Sequence, residues 1–319
     1  MHFTCACCAG DKATPASTYS LPDRTGADGS TAQMSYPLAE CVECGHVQAH
    51  PPPSAIDLER YYSTSFWQSH GVDGDGIDGD WHANLTSSSG LWERYRRAER
   101  QARYLVDTAA LSREARIIDL GSGLSPFLYH CRRLGLGDLA ALEPDPAICS
   151  YLDGHGIETY PTMLETFIER HDIEPFDAMV ISHTVEHLAD PHTVISGLAR
   201  HLRPGGFLYI DVPHRDDRLP YHEGLHLHFF GAQSMARLLG RCGLAVEASE
   251  VDKLRARDRA ARNVLYFTYG RSFGGRGGVS GKGKLEFLHR HVWRPAARLL
   301  GLRINIFVSN EDLRVIARP

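Results

Sequence analysis

The chain has 319 residues, 43% of them hydrophobic, and a formal net charge of -5, so it is neither a disordered polypeptide nor a strongly basic nucleic-acid-binding protein. No apolar run approaches the ~20 residues of a membrane-spanning helix, and the first residues lack the basic-then-apolar pattern of a signal peptide. We therefore expect a cytoplasmic protein without a membrane partner, and the acidic balance disfavours nucleic acid as a partner.

The first 54 residues carry the strongest metal-binding pattern. Four of the eight cysteines form two Cys-x-x-Cys pairs, which are Cys5 with Cys8 and Cys41 with Cys44. Two residues between thiolates suit a tight turn whose amides point at the sulfurs, and two such turns make a tetrahedral Zn(Cys)4 site. The gap between the pairs is longer than the ~15–20 residues of a usual zinc ribbon, and Cys7 is a spare thiol that could replace a neighbouring ligand. We predict a structural, zinc-ribbon-like module over residues 1–54.

Residues 55–110 are predicted to form a helical linker or cap, because apolar residues recur at helical spacing over 90–110. The acidic segment 71–80 resembles a calcium-binding loop. However, Ile77 and Asn84 occupy positions at which an EF-hand requires acidic ligands. We therefore expect a flexible acidic loop.

From residue 111 to 319 short apolar runs alternate with helical patterns, which is typical of a doubly wound α/β sheet with a Rossmann-like fold. The predicted strands are 116–120, 139–143, 157–160, 177–182, 207–212, 244–251 and 313–317. Segment 263–269 competes with 313–317 as the last strand. The predicted helices between the strands are 126–134, 147–154, 191–202 and 232–242. The glycine-rich, basic segment 270–284 departs from the P-loop pattern and is expected to be a mobile loop.

A sharp turn follows the first predicted strand of this domain. The apolar run 117–120 turns through Gly121 and Gly123, and the next apolar run ends in Glu143. Glycines in such a turn let the backbone approach a ligand, and an acid about 20 residues further on can accept hydrogen bonds from a ribose diol. The pattern predicts a nucleotide-type site at the carboxyl edge of a parallel sheet.

Five motifs follow one another in an order typical of one enzyme family. They are IIDLGSG at 117–123, LEPDP at 142–146, FDAMVISHTVEHLADP at 176–191, LRPGGFLYIDVP at 202–213 and HLHFF at 226–230. On these motifs the chain from about residue 115 to 251 resembles a class I S-adenosylmethionine-dependent methyltransferase. The paired cysteines resemble a zinc-binding module that precedes some of these enzymes. Ser125 replaces the family's third glycine, and it could bond the cofactor carboxylate or cap the following helix.

The resemblance implies a binding site for S-adenosyl-L-methionine. It assigns cofactor contacts to Asp119, Gly121, Gly123, Glu143, Leu164, Ser182 and His183. Glu143 would hold the ribose hydroxyls, and Leu164 would lie beside the adenine. Ser182 and His183 would face the sulfonium, whereas Asp119 would bind near the cofactor's amino group or order the loop.

Histidine supplies the candidate bases, because imidazole titrates near neutrality and can take a proton from a hydroxyl or an acidic carbon. The candidate catalytic residues are His183, His187 and His228. Other histidines of the same region are His214, His222 and His226. Any of these side chains could instead cap a strand end or bond a backbone carbonyl.

A candidate second divalent-metal site lies at Glu186 and His187. Some related methyltransferases carry a Glu-x-x-Glu-His sequence and a later histidine that together bind a metal ion. Here His183 stands at the first Glu position, and His226 or His228 would supply the later ligand. Two or three nitrogens plus a carboxylate would suit zinc, iron or manganese.

The predicted function is methyl transfer from S-adenosylmethionine to an oxygen or carbon acceptor of a small biosynthetic metabolite, such as a sugar or a natural product. The histidine-rich site favours an acceptor from which a proton must be removed. Two alternatives are compatible with the sequence. One is methylation of RNA or protein, with the zinc module docking the macromolecule, and the other is a non-catalytic binding module that retains the fold.

Overall fold

The computed structural model describes residues 2–20, 24–25, 31–32, 35–54, 77–87, 89–109, 111–218, 225–252 and 312–319. Some sequence predictions lie outside these residues, namely the acidic segment up to residue 76, the candidate strand 263–269, the glycine-rich segment 270–284 and His222. Among the helices of the described ranges, none combines the length and the apolar character that crossing a bilayer would require.

The described residues form the following elements. The strands are β1 (Ala13–Ser20), β2 (Arg24–Thr25), β3 (Thr31–Ala32), β4 (Ser35–Cys41), β5 (Val47–Ala49), β6 (Arg116–Leu120), β7 (Asp138–Leu142), β8 (Glu158–Tyr160), β9 (Phe176–Ser182), β10 (Leu202–Pro213), β11 (His228–Phe229), β12 (Ala245–Asp252) and β13 (Asp312–Arg318). The α-helices are α1 (Trp81–Thr86), α2 (Ser89–Ala109), α3 (Pro126–Arg133), α4 (Pro146–Gly154), α5 (Leu164–Phe167), α6 (Pro191–Ala199) and α7 (Ala232–Arg241). Two 3-10 helices span Val185–His187 and Asp216–Arg218.

A seven-stranded sheet forms the centre of the larger domain, in the order β12-β13-β10-β9-β6-β7-β8. The strands from β8 to β10 in this order run parallel, whereas β13 is antiparallel to both of its neighbours. The doubly wound α/β fold predicted from the sequence is therefore confirmed. The strand predicted at 313–317 lies within the sheet, between β10 and β12, rather than at its edge.

Both faces of this sheet are covered by helices, as a buried parallel sheet requires. Successive side chains of a strand point to opposite faces. Ile118 of β6 accordingly belongs to the core beneath α6 and α7, and Ile117 belongs to the core beneath α2, α3 and α4. Helix α2, part of the segment predicted as a helical linker or cap, packs on this face of the sheet.

A second sheet joins the N-terminal module to the larger domain. Its order is β1-β4-β5-β11, and β11 comes from the chain between β10 and α7. His228 pairs with Gln48 and Phe229 with Val47. A separate small core beneath this sheet combines Tyr19, Tyr36, Leu38, Val47 and Ala49 with Leu225, Leu227 and Phe229. The module and the domain therefore share one sheet and one core, which the sequence did not predict.

Helix α6 ends earlier than predicted, and β10 begins earlier. The predicted helix 191–202 stops at Ala199, and β10 includes the Pro204-Gly205-Gly206 sequence that was interpreted as a helix stop. The register of β10 against β9 shifts between Leu202 and Phe207. A Cβ on Gly206 would lie 3.0 Å from the carbonyl oxygen of Phe176, so the glycine permits this close approach of the two backbones.

Candidate functional site

The strand order of the central sheet reverses between β6 and β9. In doubly wound sheets ligands bind at the carboxyl ends of the strands at this switch point. Gly121 follows β6 with a φ of +73°. A Cβ at this position would lie 2.8 Å from the hydroxyl oxygen of Thr184, a residue that follows β9. Gly123 has a φ of +52°. The left-handed conformation favours glycine at both positions, and the turn stays close to the backbone after β9.

Glu143 lies at the neighbouring strand end and is held by two backbone amides. Gly123 donates to its Oε2 atom at 2.8 Å, and Asp145 donates to its Oε1 atom at 3.1 Å. The residue is 2% exposed. Burial raises the pKa of Glu143 to about 7, and the two amide hydrogen bonds oppose that rise. The carboxylate is therefore fixed beside the glycine turn, as a ribose-binding acid would be.

Asp119 and Ser125 order the turn from within. The Ser125 hydroxyl donates to Asp119 Oδ2 at 2.7 Å and accepts from the Leu128 amide at 3.3 Å, which caps α3. Burial raises the pKa of Asp119 to about 6, while the Ser125 hydrogen bond opposes it. Of the two roles considered for Ser125, helix capping is the one that these contacts support. They also favour a loop-ordering role for Asp119.

The side chain of Leu164 points into the core rather than to the crevice. It is 5% exposed and packs with the core that includes Phe167. The preceding residue, Met163, is 56% exposed in the loop that follows β8. Met163 is thus the apolar side chain that this loop presents to solvent, and the predicted cofactor contact of Leu164 stays a prediction.

Ser182 is anchored by a residue that the sequence analysis missed. The Gln101 side-chain amide donates to Ser182 Oγ at 2.9 Å and to Asp211 Oδ2 at 2.6 Å. Gln101 is 2% exposed and lies on the apolar face of α2 with Ala98, Ala102 and Leu105. In the sequence, the feature that could have revealed Gln101 is a single polar amide on an otherwise apolar helix face. Helix α2 therefore reaches the carboxyl ends of β9 and β10.

His183 lies next to the crevice in a left-handed conformation, with a φ of +52°. Its amide donates to the Asp211 carbonyl at 2.8 Å. Its Nδ1 atom is 3.6 Å from Glu186 Oε1, and its Nε2 atom is 3.5 Å from Asp312 Oδ1. The side chain retains 23% exposure. Burial lowers the pKa of His183 well below its usual range, and the Arg97 charge acts in the same direction.

Glu186, His187 and His226 converge beside His183. Each offers one ligand atom, and these atoms lie within 4.8 Å of one another. Burial raises the pKa of Glu186 to about 7, against the attraction of His226. Burial opposes the charged form of His226, but the nearby Asp216 carboxylate outweighs it and raises the pKa of this imidazole.

His228 lies apart from this group, in the interface with the N-terminal module. Its Nδ1 atom is 3.1 Å from His46 Nε2, and the two rings stack with centroids 5.3 Å apart. Burial lowers the pKa of His228 to about 4, although a hydrogen bond with the Leu188 backbone opposes this. Both ring nitrogens are therefore engaged in structural contacts. Of the two later ligands considered for Glu186 and His187, the structure brings His226 close and not His228.

The four paired cysteines converge in the N-terminal module. Their sulfurs lie within 4.8 Å of one another, with Sγ–Sγ distances of 3.5 Å for Cys5–Cys44 and for Cys8–Cys41. This set does not include Cys7. Four cysteine sulfurs at these distances are the donor set and spacing of a structural zinc site.

The two cysteine turns share one backbone pattern. The amides of Ala9 and Gly45 donate to the carbonyls of Cys5 and Cys41 at 2.9 Å each, and both donors have positive φ. In each turn an amide two residues after the second cysteine points at its sulfur. Gly10 donates to Cys8 Sγ at 3.4 Å, and His46 donates to Cys44 Sγ. Such amides stabilise thiolates, so the turns fit a bound cation.

The order of the strands, the glycine turn and the buried carboxylate together make an α/β domain of the type that binds nucleotides at its switch point. Residues 92–249 match the family model described as "Methyltransferase domain". This part of the chain is a class I S-adenosylmethionine-dependent methyltransferase domain, as the sequence motifs predicted.

Matches to curated relatives and to solved structures are at low identity. A ubiquinone biosynthesis O-methyltransferase of Xanthomonas oryzae is 29% identical over 132 residues, which are 40% of this chain and 53% of the relative. The chain thus spans about half the length of the curated relatives it matches. An S-adenosylmethionine-dependent methyltransferase from Mesorhizobium loti has a TM-score of 0.44 at 16% identity, covering 68% of this chain and 98% of that one. Coclaurine N-methyltransferase has a TM-score of 0.46 at 10% identity, covering 70% and 72%.

Proposed function

We propose that this protein transfers the methyl group of S-adenosyl-L-methionine to an oxygen or carbon atom of a small biosynthetic metabolite. The observation that supports this most is the buried Glu143 carboxylate, held at the switch point by the amides of Gly123 and Asp145. A carboxylate so placed accepts hydrogen bonds from vicinal ribose hydroxyls. Bound S-adenosylmethionine would supply an activated methyl group, so the protein has to supply orientation, exclusion of water and a proton acceptor.

The remaining cofactor contacts follow from the same edge of the sheet. The turn at Gly121 and Gly123 would let the backbone lie against the methionine half of the cofactor. Asp119 would stabilise the conformation of that turn through its hydrogen bond with Ser125. The loop after β8 would cover the adenine through Met163, whose side chain is exposed, and through the backbone at Leu164.

His183 is our candidate for the proton acceptor. It follows β9 directly after Ser182, so it would lie beside the sulfonium of a bound cofactor, and its side chain is partly exposed. His187 is less suited, because its Nδ1 atom already donates to the Leu225 carbonyl at 2.5 Å. His228 is least suited, because it is buried against His46.

An oxygen or carbon acceptor fits the chemistry of this cluster better than an amine does. A hydroxyl or an acidic carbon must lose a proton during transfer, and imidazole side chains can accept it. The curated relatives that match the methyltransferase region are named as O-methyltransferases of ubiquinone biosynthesis. This supports an oxygen acceptor without identifying the metabolite.

The N-terminal module would hold one structural zinc ion through Cys5, Cys8, Cys41 and Cys44. Its role would be to fix the segment that carries His226. The Ala49 amide donates to the Leu227 carbonyl at 2.9 Å, and the Tyr36 hydroxyl donates to the His226 carbonyl at 2.5 Å. The module would thereby form one wall of the acceptor side.

Cofactor binding tests the proposal directly. S-adenosylhomocysteine, the product form of the cofactor, should bind the full-length protein in isothermal titration calorimetry. Glu143→Ala should abolish or strongly weaken binding. Glu114→Ala, at the opposite edge of the sheet just before β6, should leave it unchanged. Failure of the wild-type protein to bind this nucleoside would refute the assignment.

A second assay tests the acceptor class. The protein is incubated with methyl-labelled S-adenosylmethionine and, separately, with the small-molecule and macromolecular fractions of a cell extract. We expect label in the small-molecule fraction. Label that enters only RNA or protein would contradict the proposed acceptor class and support docking of a macromolecule through the zinc module.

A further inference from the structure

Glu186 is a buried acid whose carboxylate lacks a hydrogen bond to any of the described residues. It is 1% exposed, and within the described ranges neither of its carboxylate oxygens has a hydrogen-bond partner. An unpaired buried carboxylate is strongly unfavourable, and each such group calls for a specific explanation. The nearest candidate partners are imidazoles, with His187 Nε2 at 3.9 Å and His183 Nδ1 at 3.6 Å from Oε1.

Two of the neighbouring histidines have the support that metal ligands usually have. A metal-binding imidazole almost always donates its other ring N–H to a carboxylate, a backbone carbonyl or water. His187 Nδ1 lies 2.5 Å from the Leu225 carbonyl, and His226 Nδ1 lies 2.6 Å from Asp216 Oδ2. These contacts fix the orientation of both rings, and each ring places one nitrogen within 4.8 Å of a Glu186 carboxylate oxygen.

The backbone holds the two parts of this group together. The Leu227 amide donates to the Glu186 carbonyl at 2.8 Å, which ties the segment bearing His226 to the 3-10 helix Val185–His187. On its other side the same segment is bonded to the N-terminal module through Tyr36. Backbone hydrogen bonds therefore hold the two segments that carry the three ligand residues at a fixed separation.

We infer that Glu186, His187 and His226 bind a divalent metal ion, distinct from the cysteine site, on the acceptor side of the crevice. Two imidazoles and one carboxylate suit manganese, iron or zinc and leave coordination positions open. A ligand with two neighbouring oxygens, such as a hydroxyl beside a hydroxyl, carbonyl or carboxylate, would fill those positions. The metal would orient that acceptor and make its hydroxyl more acidic. The class of acceptor named here rests on the proposed function, whereas the binding of the metal does not depend on it.

A second group of possible ligands nearby is less suited to a metal. It consists of His183, Asp211 and Asp312. Asp211 Oδ2 already accepts hydrogen bonds from Gln101 at 2.6 Å and from the Tyr209 hydroxyl at 3.2 Å. One oxygen of Asp211 is therefore hydrogen-bonded by protein groups, whereas among the described residues neither oxygen of Glu186 is.

The metal stoichiometry of the full-length protein tests the inference. Equilibrium dialysis against Mn²⁺, followed by elemental analysis, counts all divalent ions bound per chain. Mn²⁺ prefers oxygen and nitrogen to thiolate ligands, so it should leave the zinc of the cysteine site in place. We expect two ions per chain in the wild type and one in His187→Ala or Glu186→Gln. Asp216→Asn should weaken Mn²⁺ binding ~10–100-fold, since it removes the support of His226.

The matched control is His171→Ala, an exposed histidine that precedes β9 at the opposite edge of the sheet. It should retain two ions per chain. S-adenosylhomocysteine affinity, measured on each variant, reports whether the cofactor half is folded. A wild-type protein that binds only one divalent ion per chain would overturn the inference. A His187→Ala protein that still binds two ions per chain, together with the nucleoside, would also overturn it. Loss of nucleoside binding in the wild type would instead refute the proposed function.

Discussion

The pH dependence of cofactor affinity offers the sharpest test of the role given to Glu143. Burial raises the pKa of this carboxyl to about 7 in the cofactor-free protein. Ribose hydroxyls donate hydrogen bonds, so the ionised acid is the form that should bind them. With this pKa the ionised fraction is about one-tenth at pH 6 and about nine-tenths at pH 8. The Kd of S-adenosylhomocysteine should therefore fall ~10-fold over this interval, or ~1.4 kcal/mol.

Isothermal titration calorimetry at the two pH values and constant ionic strength measures this change. Glu143→Gln should bind more weakly and show little pH dependence. Asp119, with a pKa of about 6, is already about half ionised at pH 6 and can contribute only ~2-fold over the same interval. A wild-type affinity that is equal at both pH values would refute the reasoning, and so would a tenfold change that persists in Glu143→Gln.

Three further substitutions test the frame of the site. Gly121→Ala should lower the melting temperature and weaken nucleoside binding. The left-handed backbone is unfavourable by ~1–2 kcal/mol for other residues, and a Cβ at this position would lie 2.8 Å from the Thr184 side chain. The control is Gly154→Ala, which has open space around it and should be neutral; equal effects of the two substitutions would contradict the argument. Cys44→Ser should release the structural zinc and lower the melting temperature, whereas Cys242→Ser should keep one zinc per chain by elemental analysis. Gln101→Leu should destabilise the protein by ~1–3 kcal/mol in urea unfolding, because it removes a hydrogen-bond donor from the buried Asp211 carboxylate. An unchanged unfolding midpoint would argue against this anchor.

The central sheet could be predicted from the sequence because its strands are short apolar runs flanked by turn residues. The strands β6, β7 and β9 and the helices α3 and α4 lie within one or two residues of the predicted bounds. Local patterns also identified Glu143 and the glycine turn. The position of β13 between β10 and β12 could not be predicted in this way, since it depends on pairing between segments far apart in the chain.

Other parts of the site depend on contacts that no local pattern encodes. Strand β11 has two residues and forms only because β5 of the module pairs with it. The partnership of Asp216 with His226 likewise follows from that docking, as does the burial of His228 against His46. The burial of the Leu164 side chain and the exposure of Met163 likewise depend on the short helix α5, which no local pattern predicted.

The N-terminal module is better understood as part of the acceptor side than as an appendage. The turn that begins at Cys41 places His46 against His228, and β5 follows directly and pairs with β11. The segment next to β11 in turn bonds the Glu186 carbonyl. A continuous set of backbone and side-chain hydrogen bonds therefore runs from the cysteine site to the buried acid. If zinc fixes those turns, its removal should loosen the segment that carries His226 before it disturbs Glu143, which is held by a different loop. Zinc-depleted protein should accordingly lose Mn²⁺ binding while it still binds S-adenosylhomocysteine, and loss of both together would show that the two halves of the site do not separate in this way.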